Sequence, residues 1–193
     1  MNRRVTFEQY RTMDLTAFAI MLIASESIIQ TASTAWFPGQ PYTVSVTAAI
    51  VTIVLMRWKK YAALHAVLGG LVFCFHLKAG AGQYLIYCLG NLGAMLSLLI
   101  LRKAGDERIR NDALMSILFA LCTQLFMQAG RAAAAGILGT PPAVCLGFFT
   151  TDALSALFTM VIVGIARRLD GIFEDQKKYL LRVQEEKERG DHS

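Results

Sequence analysis

The side chains best equipped for chemistry are polar residues set inside apolar stretches, and their spacing is helical. Glu26 and Gln30 are i, i+4 neighbours. Gln83, Tyr87 and Asn91 follow i, i+4, i+8, while Gln124, Gln128 and Arg131 follow i, i+4, i+7, and Asp152, Ser155 and Thr159 follow i, i+3, i+7. Each set falls on one face of a helix. A charge at mid-bilayer costs about 2.5–3.5 kcal/mol on insertion scales, so each group needs a reason to be there. A buried Glu26 or Asp152 calls for a partner such as Arg131 or Lys78, or for a ligand cation.

The elements that must carry these residues are membrane helices. Of 193 residues, 55% are apolar and only 17% charged, against about 25% charged in soluble domains. That balance excludes disorder, coiled coil and collagen. Apolar runs fall at about 13–35, 42–56, 61–77, 83–101, 113–135 and 144–166, and a bilayer core of about 30 Å asks for roughly 20 apolar residues per helix. The second and third runs are short, and each alone would suit half of a re-entrant hairpin. The charges favour counting them as spans. Seventeen of the nineteen Lys and Arg lie before the first run, between the second and third, between the fourth and fifth, or after the sixth. Lys78 and Arg131 are the exceptions. Basic flanks stay in the cytoplasm, so the expected fold is an all-α integral membrane protein of six transmembrane helices with both termini cytoplasmic. Two units are expected: a transmembrane substrate-binding domain over 1–166 and a charged cytoplasmic tail over 167–193. The tail reads as an extension of the sixth helix with one apolar stripe, Leu169, Ile172, Phe173, Leu180 and Val183. Arg3 and Arg4 ahead of an apolar stretch ending near Ser33-Thr34-Ala35 resemble a signal peptide, but the stretch is long and interrupted by Glu26, which favours an uncleaved first helix.

With that topology all four polar stripes are weighted toward the outer leaflet. Hydrogen bonding between helices explains any one of them at about 0.6 kcal/mol per contact, yet it has no reason to gather on one side. A polar cavity loaded from outside does. The expected substrate-binding residues are Glu26, Gln30, Trp36, Tyr42, Lys78, Gln83, Tyr84, Tyr87, Asn91, Gln128, Arg131 and Asp152. The aromatics, with Phe37, Phe148 and Phe149, would wall the cavity or anchor the membrane interface.

Other chemistry finds little support. His65 and His76 stand eleven positions apart, about 16 Å along a helix, too far to share a metal or haem. Neither cofactor nor metal is expected. Cys74, Cys88, Cys122 and Cys145 are scattered as small packing residues. Nucleophile elbow, zinc-binding HExxH and phosphate-binding loop motifs are all missing, so the chain is not read as an enzyme and would need partner ATPases to drive transport. Its basic loops are explained by topology, with lipid and not nucleic acid as the partner. Ala62, Ala66 and Gly70 form a small-residue ridge open to internal packing or to docking a subunit.

Taken together, the outer loop Trp36–Tyr42, the short second and third helices joined by Arg57-Trp58-Lys59-Lys60, and Gly82-Gln83-Tyr84 through Gly90-Asn91 opening the fourth helix resemble the S component of energy-coupling factor (ECF) vitamin transporters. The resemblance covers about Phe7 to Arg168 and is one of layout. It implies a multi-pass protein of the bacterial cell membrane that captures a small water-soluble vitamin or micronutrient near its outer face, the first outer loop closing over it. A transmembrane T component and two cytoplasmic ATPases would then tip it to release its cargo. One departure is plain: Ala17, Ala19 and Ala24 form no Ala-x-x-x-Ala pair on the first helix, where the family packs against its T component. A membrane scaffold working through its tail, and a self-sufficient secondary carrier using Glu26 and Asp152, also fit the residues.

Overall fold

The computed structural model describes residues 6–40 and 42–190, with side chains through residue 186; Arg3 and Arg4 lie outside the described residues. The described chain is all-helical. Helix α1 (Phe7–Trp36) opens with a capping box in which Gln9 N donates to Thr6 Oγ1 and Thr6 N donates to Gln9 Oε1. It then runs 30 residues, about 45 Å at 1.5 Å per residue. Pro38 and Gly39, the latter at φ +79°, follow its end and turn the chain.

Helix α2 (Thr47–Trp58) and helix α3 (Ala62–His76) come from the two short apolar runs. They span 12 and 15 residues, roughly 18 and 22 Å, below the roughly 30 Å of a bilayer core. Every residue of α2 is buried. Its sequence is apolar on all sides apart from two threonines and a terminal arginine, the pattern of a helix enclosed by others. A 3₁₀ turn at Lys59–Tyr61, entered through Lys59 at φ +51°, reverses the chain into α3.

Four helical segments are long and apolar enough to cross a membrane: Phe7–Trp36, Ala81–Ala104, Ala113–Ile137 and Pro142–Ala166. That makes the chain compatible with a multi-pass membrane protein. Two of the four are compound. The first consists of α4 (Ala81–Gly90), a 3₁₀ stretch Asn91–Leu96 and α5 (Ser97–Ala104). After the short α6 (Asp106–Asn111) comes the unbroken α7 (Ala113–Ile137), capped by Asp112, whose Oδ1 accepts from Leu114 N and Met115 N. The other compound span is α8 (Pro142–Thr151) and α9 (Ala153–Ala166), broken at Asp152.

The Asn91–Leu96 stretch lies where α7 packs very closely. A Cβ on Gly130 would collide with the Gly90 carbonyl, one on Gly93 with the Phe126 carbonyl, and one on Gly90 would lie 2.5 Å from Arg131 Cα. Backbone meets backbone where α4 crosses α7, as small residues permit in membrane bundles. That crossing sets Arg131 beside Asn91. The ridge expected to serve packing or subunit docking is internal: Ala62 and Ala66 are fully buried, and a Cβ on Gly70 would press on the backbone of Tyr87.

The tail is not a straight continuation of the last candidate span, contrary to the expectation for the sixth apolar run. Helix α9 stops at Ala166, the chain turns through Gly171 at φ +68°, and helix α10 (Gln176–Gly190) begins after it. The turn is wedged into the bundle, with Phe173 and Gln176 buried. Arg57 holds it, donating from Nη1 to the carbonyls of Gly171 and Ile172 while pairing with Asp14 at 2.6 Å. Tyr10 Oη donates to Gln176 Oε1 at 2.9 Å. Both ends of the described chain therefore meet at the end of the bundle that carries Arg57, Lys59 and Arg110.

Candidate functional site

At the opposite end the polar residues form one connected network. Its core is an ion pair buried among helices. Arg131 on α7 donates from Nη1 to Asp152 Oδ2 at 2.9 Å, both side chains being only 7% exposed. Asp152 occupies the break between α8 and α9, where it also accepts from Gln128 Nε2 and Thr43 Oγ1. Gln124 Nε2 donates to its backbone carbonyl at 3.1 Å. Arg131 Nε donates to Asn91 Oδ1 at 2.7 Å, and Asn91 Nδ2 donates in turn to the Ala66 carbonyl at 2.9 Å. The guanidinium lies over the ring of Tyr87, 4.7 Å from its centroid, a cation–π contact that adds to the pair. Tyr87 itself packs on Phe73 and Phe148.

Glu26 needs a different partner from the one expected. No cation reaches it among the described residues. The carboxylate faces the N-terminus of α2 instead, accepting at Oε2 from Ser45 Oγ at 2.9 Å, Val46 N at 3.0 Å and Thr47 Oγ1 at 3.1 Å. Its other oxygen accepts from Gln30 Nε2 at 2.8 Å, and Gln30 donates its second amide hydrogen to the Val44 carbonyl at 2.7 Å. A helix N-terminus presents unpaired N–H groups and the positive end of the macrodipole, so it takes the place of a cation.

The loop before α2 joins the two halves. Ser155 Oγ accepts from Ser45 N at 3.0 Å and lies within hydrogen-bonding reach of the Thr43 carbonyl (3.2 Å) and Asp152 Oδ1 (3.3 Å). Thr43 N donates to the Thr151 carbonyl at 2.9 Å. The chain of bonds runs unbroken from Glu26 on α1 through Ser45, Ser155, Asp152, Arg131 and Asn91 to α3.

Of the expected site residues, Glu26, Gln30, Asn91, Gln128, Arg131 and Asp152 come together, with Tyr87 stacked on the pair. The others do not join the network. Gln83 is exposed and caps its own helix, accepting from Gly80 N at 3.2 Å. Trp36 and Lys78 are exposed, and Tyr84 is half-buried. Thr43, Ser45 and Thr47 were missed by sequence reasoning; the only signal was a Ser and two Thr alternating just ahead of an apolar helix, the composition of a helix cap. Thr159 shares the stripe of Asp152 and is fully buried, but its hydroxyl has no partner among the described residues. His65 Nε2 donates to the Leu15 carbonyl at 3.0 Å.

The network members satisfy one another, and the open volume lies beside them. A cleft of about 470 Å³ is bounded by Gln30 and Ser33 of α1, by Phe37, Gln40 and Tyr42 of the loop, and by Phe73 and Leu77 of α3. Thr43 lines it too, and with Gln30 ties the cleft to the buried network. Its mixed aromatic and amide walls suit a small ligand with a few polar groups. Comparison with protein-family models, with curated proteins and with solved structures finds no match to this chain.

Proposed function

We propose that this protein captures a small water-soluble, vitamin-like compound from outside the cell, as the S component of an ECF-type importer in a bacterial membrane. In this reading α2 and α3 complete six spans, and both termini face the cytoplasm because the basic end of the bundle does. The carrying observation is the cleft, which opens beside the buried polar network at the end of the bundle opposite Arg57, Lys59 and Arg110. Its volume falls in the range of about 300–1,000 Å³ usual for small-molecule sites. The loop before α2 is anchored at Thr43 and Ser45 by the network and at Gln40 by its bond to Ser33, and in this reading Phe37 and Tyr42 close over a ligand. No ATP-binding motif occurs in the chain, so release of the cargo falls to a T component and two ATPases.

The full-length protein, purified in detergent, tests this directly. Methanol extracts analysed by mass spectrometry should contain a compound below about 500 Da, and adding that compound back should raise the melting temperature. Tyr42→Ala and Gln40→Ala should each weaken binding about tenfold, the loss of roughly one good contact, while Trp36→Ala, outside the cleft, should not. An empty extract together with a melting temperature unmoved by a panel of water-soluble vitamins would refute the proposal.

A second reading, a membrane scaffold, draws on the mutual satisfaction of the network, which needs no ligand to complete it. Removing residues 176–193 separates the two, since capture at the far cleft should persist and scaffolding through the tail should not.

A further inference from the structure

The basic end of the bundle holds a second cavity, of about 370 Å³, whose charged walls are Arg110, Arg167, Arg168 and Arg182 against Asp170 and Glu174. The carboxylates are claimed unevenly. Glu174 pairs with both Arg110 and Arg182, and Arg182 also reaches Asp170 at 3.5 Å. Arg167 and Arg168 share in neither. Arg167 Nη2 donates to the backbone carbonyls of Arg110 and Asn111, at 3.4 and 3.0 Å, and its buried Nε has no acceptor among the described residues. Arg168 is exposed and has no acidic partner among the described residues. Among the described residues, two cations at the same cavity thus lack a counter-charge.

An apolar track leads to the same place. Val161 and Ile165 stand four residues apart on α9 and share one outward face; they and Leu169, in the turn that follows, are each more than half exposed. Leu169 lines the cavity. A ligand here would meet a cationic recess at one end and an apolar helix face at the other. Arg guanidinium matches phosphate oxygens with paired N–H donors, and basic recesses between membrane helices take acidic headgroups.

We propose that this cavity binds a phosphate oxyanion, and specifically the phosphodiester of an anionic phospholipid, with Arg167 and Arg168 as its counter-charges and the exposed Val161 and Ile165 of α9, with Leu169 beside the cavity, alongside an acyl chain. The site lies at the other end of the molecule from the capture cleft and does not depend on it.

The test uses the full-length protein in maltoside detergent, with phosphatidylglycerol, phosphatidylcholine or inorganic phosphate added, and reads retained lipid by native mass spectrometry and stability by thermal unfolding. Phosphatidylglycerol should be retained at least about fivefold better than phosphatidylcholine. Arg168→Gln, at an exposed position, should fold normally and lower that retention about fivefold, the effect of one basic residue at an anionic surface. Arg102→Gln, exposed at the same end but outside this cavity, should leave it unchanged. Equal retention of the two lipids, or equal losses in the two variants, would overturn the site. Stabilisation by inorganic phosphate that Arg168→Gln abolishes, without preference for phosphatidylglycerol, would overturn the lipid and assign the cavity to a soluble phosphate.

Discussion

Arg131 and Asp152 illustrate how a buried charge is tolerated in apolar surroundings. Neither is solvated, and each is surrounded by polar groups aimed at it: Asn91 and Gln128 for the arginine, Thr43, Gln128 and Ser155 for the aspartate. Removing one partner leaves the other uncompensated, which costs about 3–5 kcal/mol in comparable pairs. Asp152→Ala should lower stability by that amount in a denaturant titration. The paired replacement Arg131→Met with Asp152→Leu should cost much less than the two single changes summed, because no charge is left stranded. Glu26 makes the complementary case. Four donors converge on it, so Glu26→Ala should destabilise by about 3 kcal/mol or more, each bond to a charged group contributing about 1.5–3 kcal/mol. Glu26→Gln should recover part of the loss by keeping an acceptor for α2.

At the level of elements, glycine decides which helices can touch. Gly130 and Gly136 lie on the same helix, α7, but in opposite circumstances. A methyl at Gly130 would strike the Gly90 carbonyl, whereas one at Gly136 meets nothing within 4 Å. Gly130→Ala should therefore cost about 1–3 kcal/mol by overpacking, and it should also loosen Arg131 one residue away. Gly136→Ala should be neutral or stabilise by up to about 1 kcal/mol through helix propensity. Melting temperatures of the two variants, measured side by side in one detergent, give the comparison. The same logic explains α2. A twelve-residue helix apolar on nearly every side has little to offer water, and here it has no face to offer lipid either, because its neighbours cover every residue.

Over the whole molecule, charge is divided between the two ends in unlike ways. At the cleft end Glu26, Arg131 and Asp152 are buried and bonded within the bundle, while Lys78 is exposed. At the other end basic groups meet acids supplied by α6 and by the tail: Lys59 reaches Asp106 at 3.0 Å and Asp175 at 3.3 Å, and Glu174 joins Arg110 to Arg182. The tail is docked through these pairs together with the buried Phe173 and Gln176. Glu174→Gln should therefore loosen the backbone around the already exposed Lys177 and Lys178, raising the rate of tryptic tail cleavage severalfold in a time course while the bundle stays intact. Salt should narrow the difference between variant and wild type, since pairs at the surface are screened.

Much of this was legible in the residues. Apolar runs located the helices, because hydrocarbon leaves the backbone few alternatives, and the i, i+4 stripes on α7 and at Asp152 picked out groups that do pair. The sequence alone settled that the chain is helical and that Glu26, Arg131 and Asp152 are buried, since a charge in an apolar run must be sheltered wherever the helix goes; it did not foresee that Gln83 is exposed or that Ser45 and Thr47 are buried. Tertiary structure alone decided who shelters whom. Glu26 turned to the N-terminus of α2 and not to Arg131, because the loop from Thr43 to Val46 folds back between α1 and α9, a contact across sequence distance that no local spacing encodes. It also placed the open volume beside the polar network instead of within it, because complementary donors and acceptors brought into reach of one another bond and close the space between them.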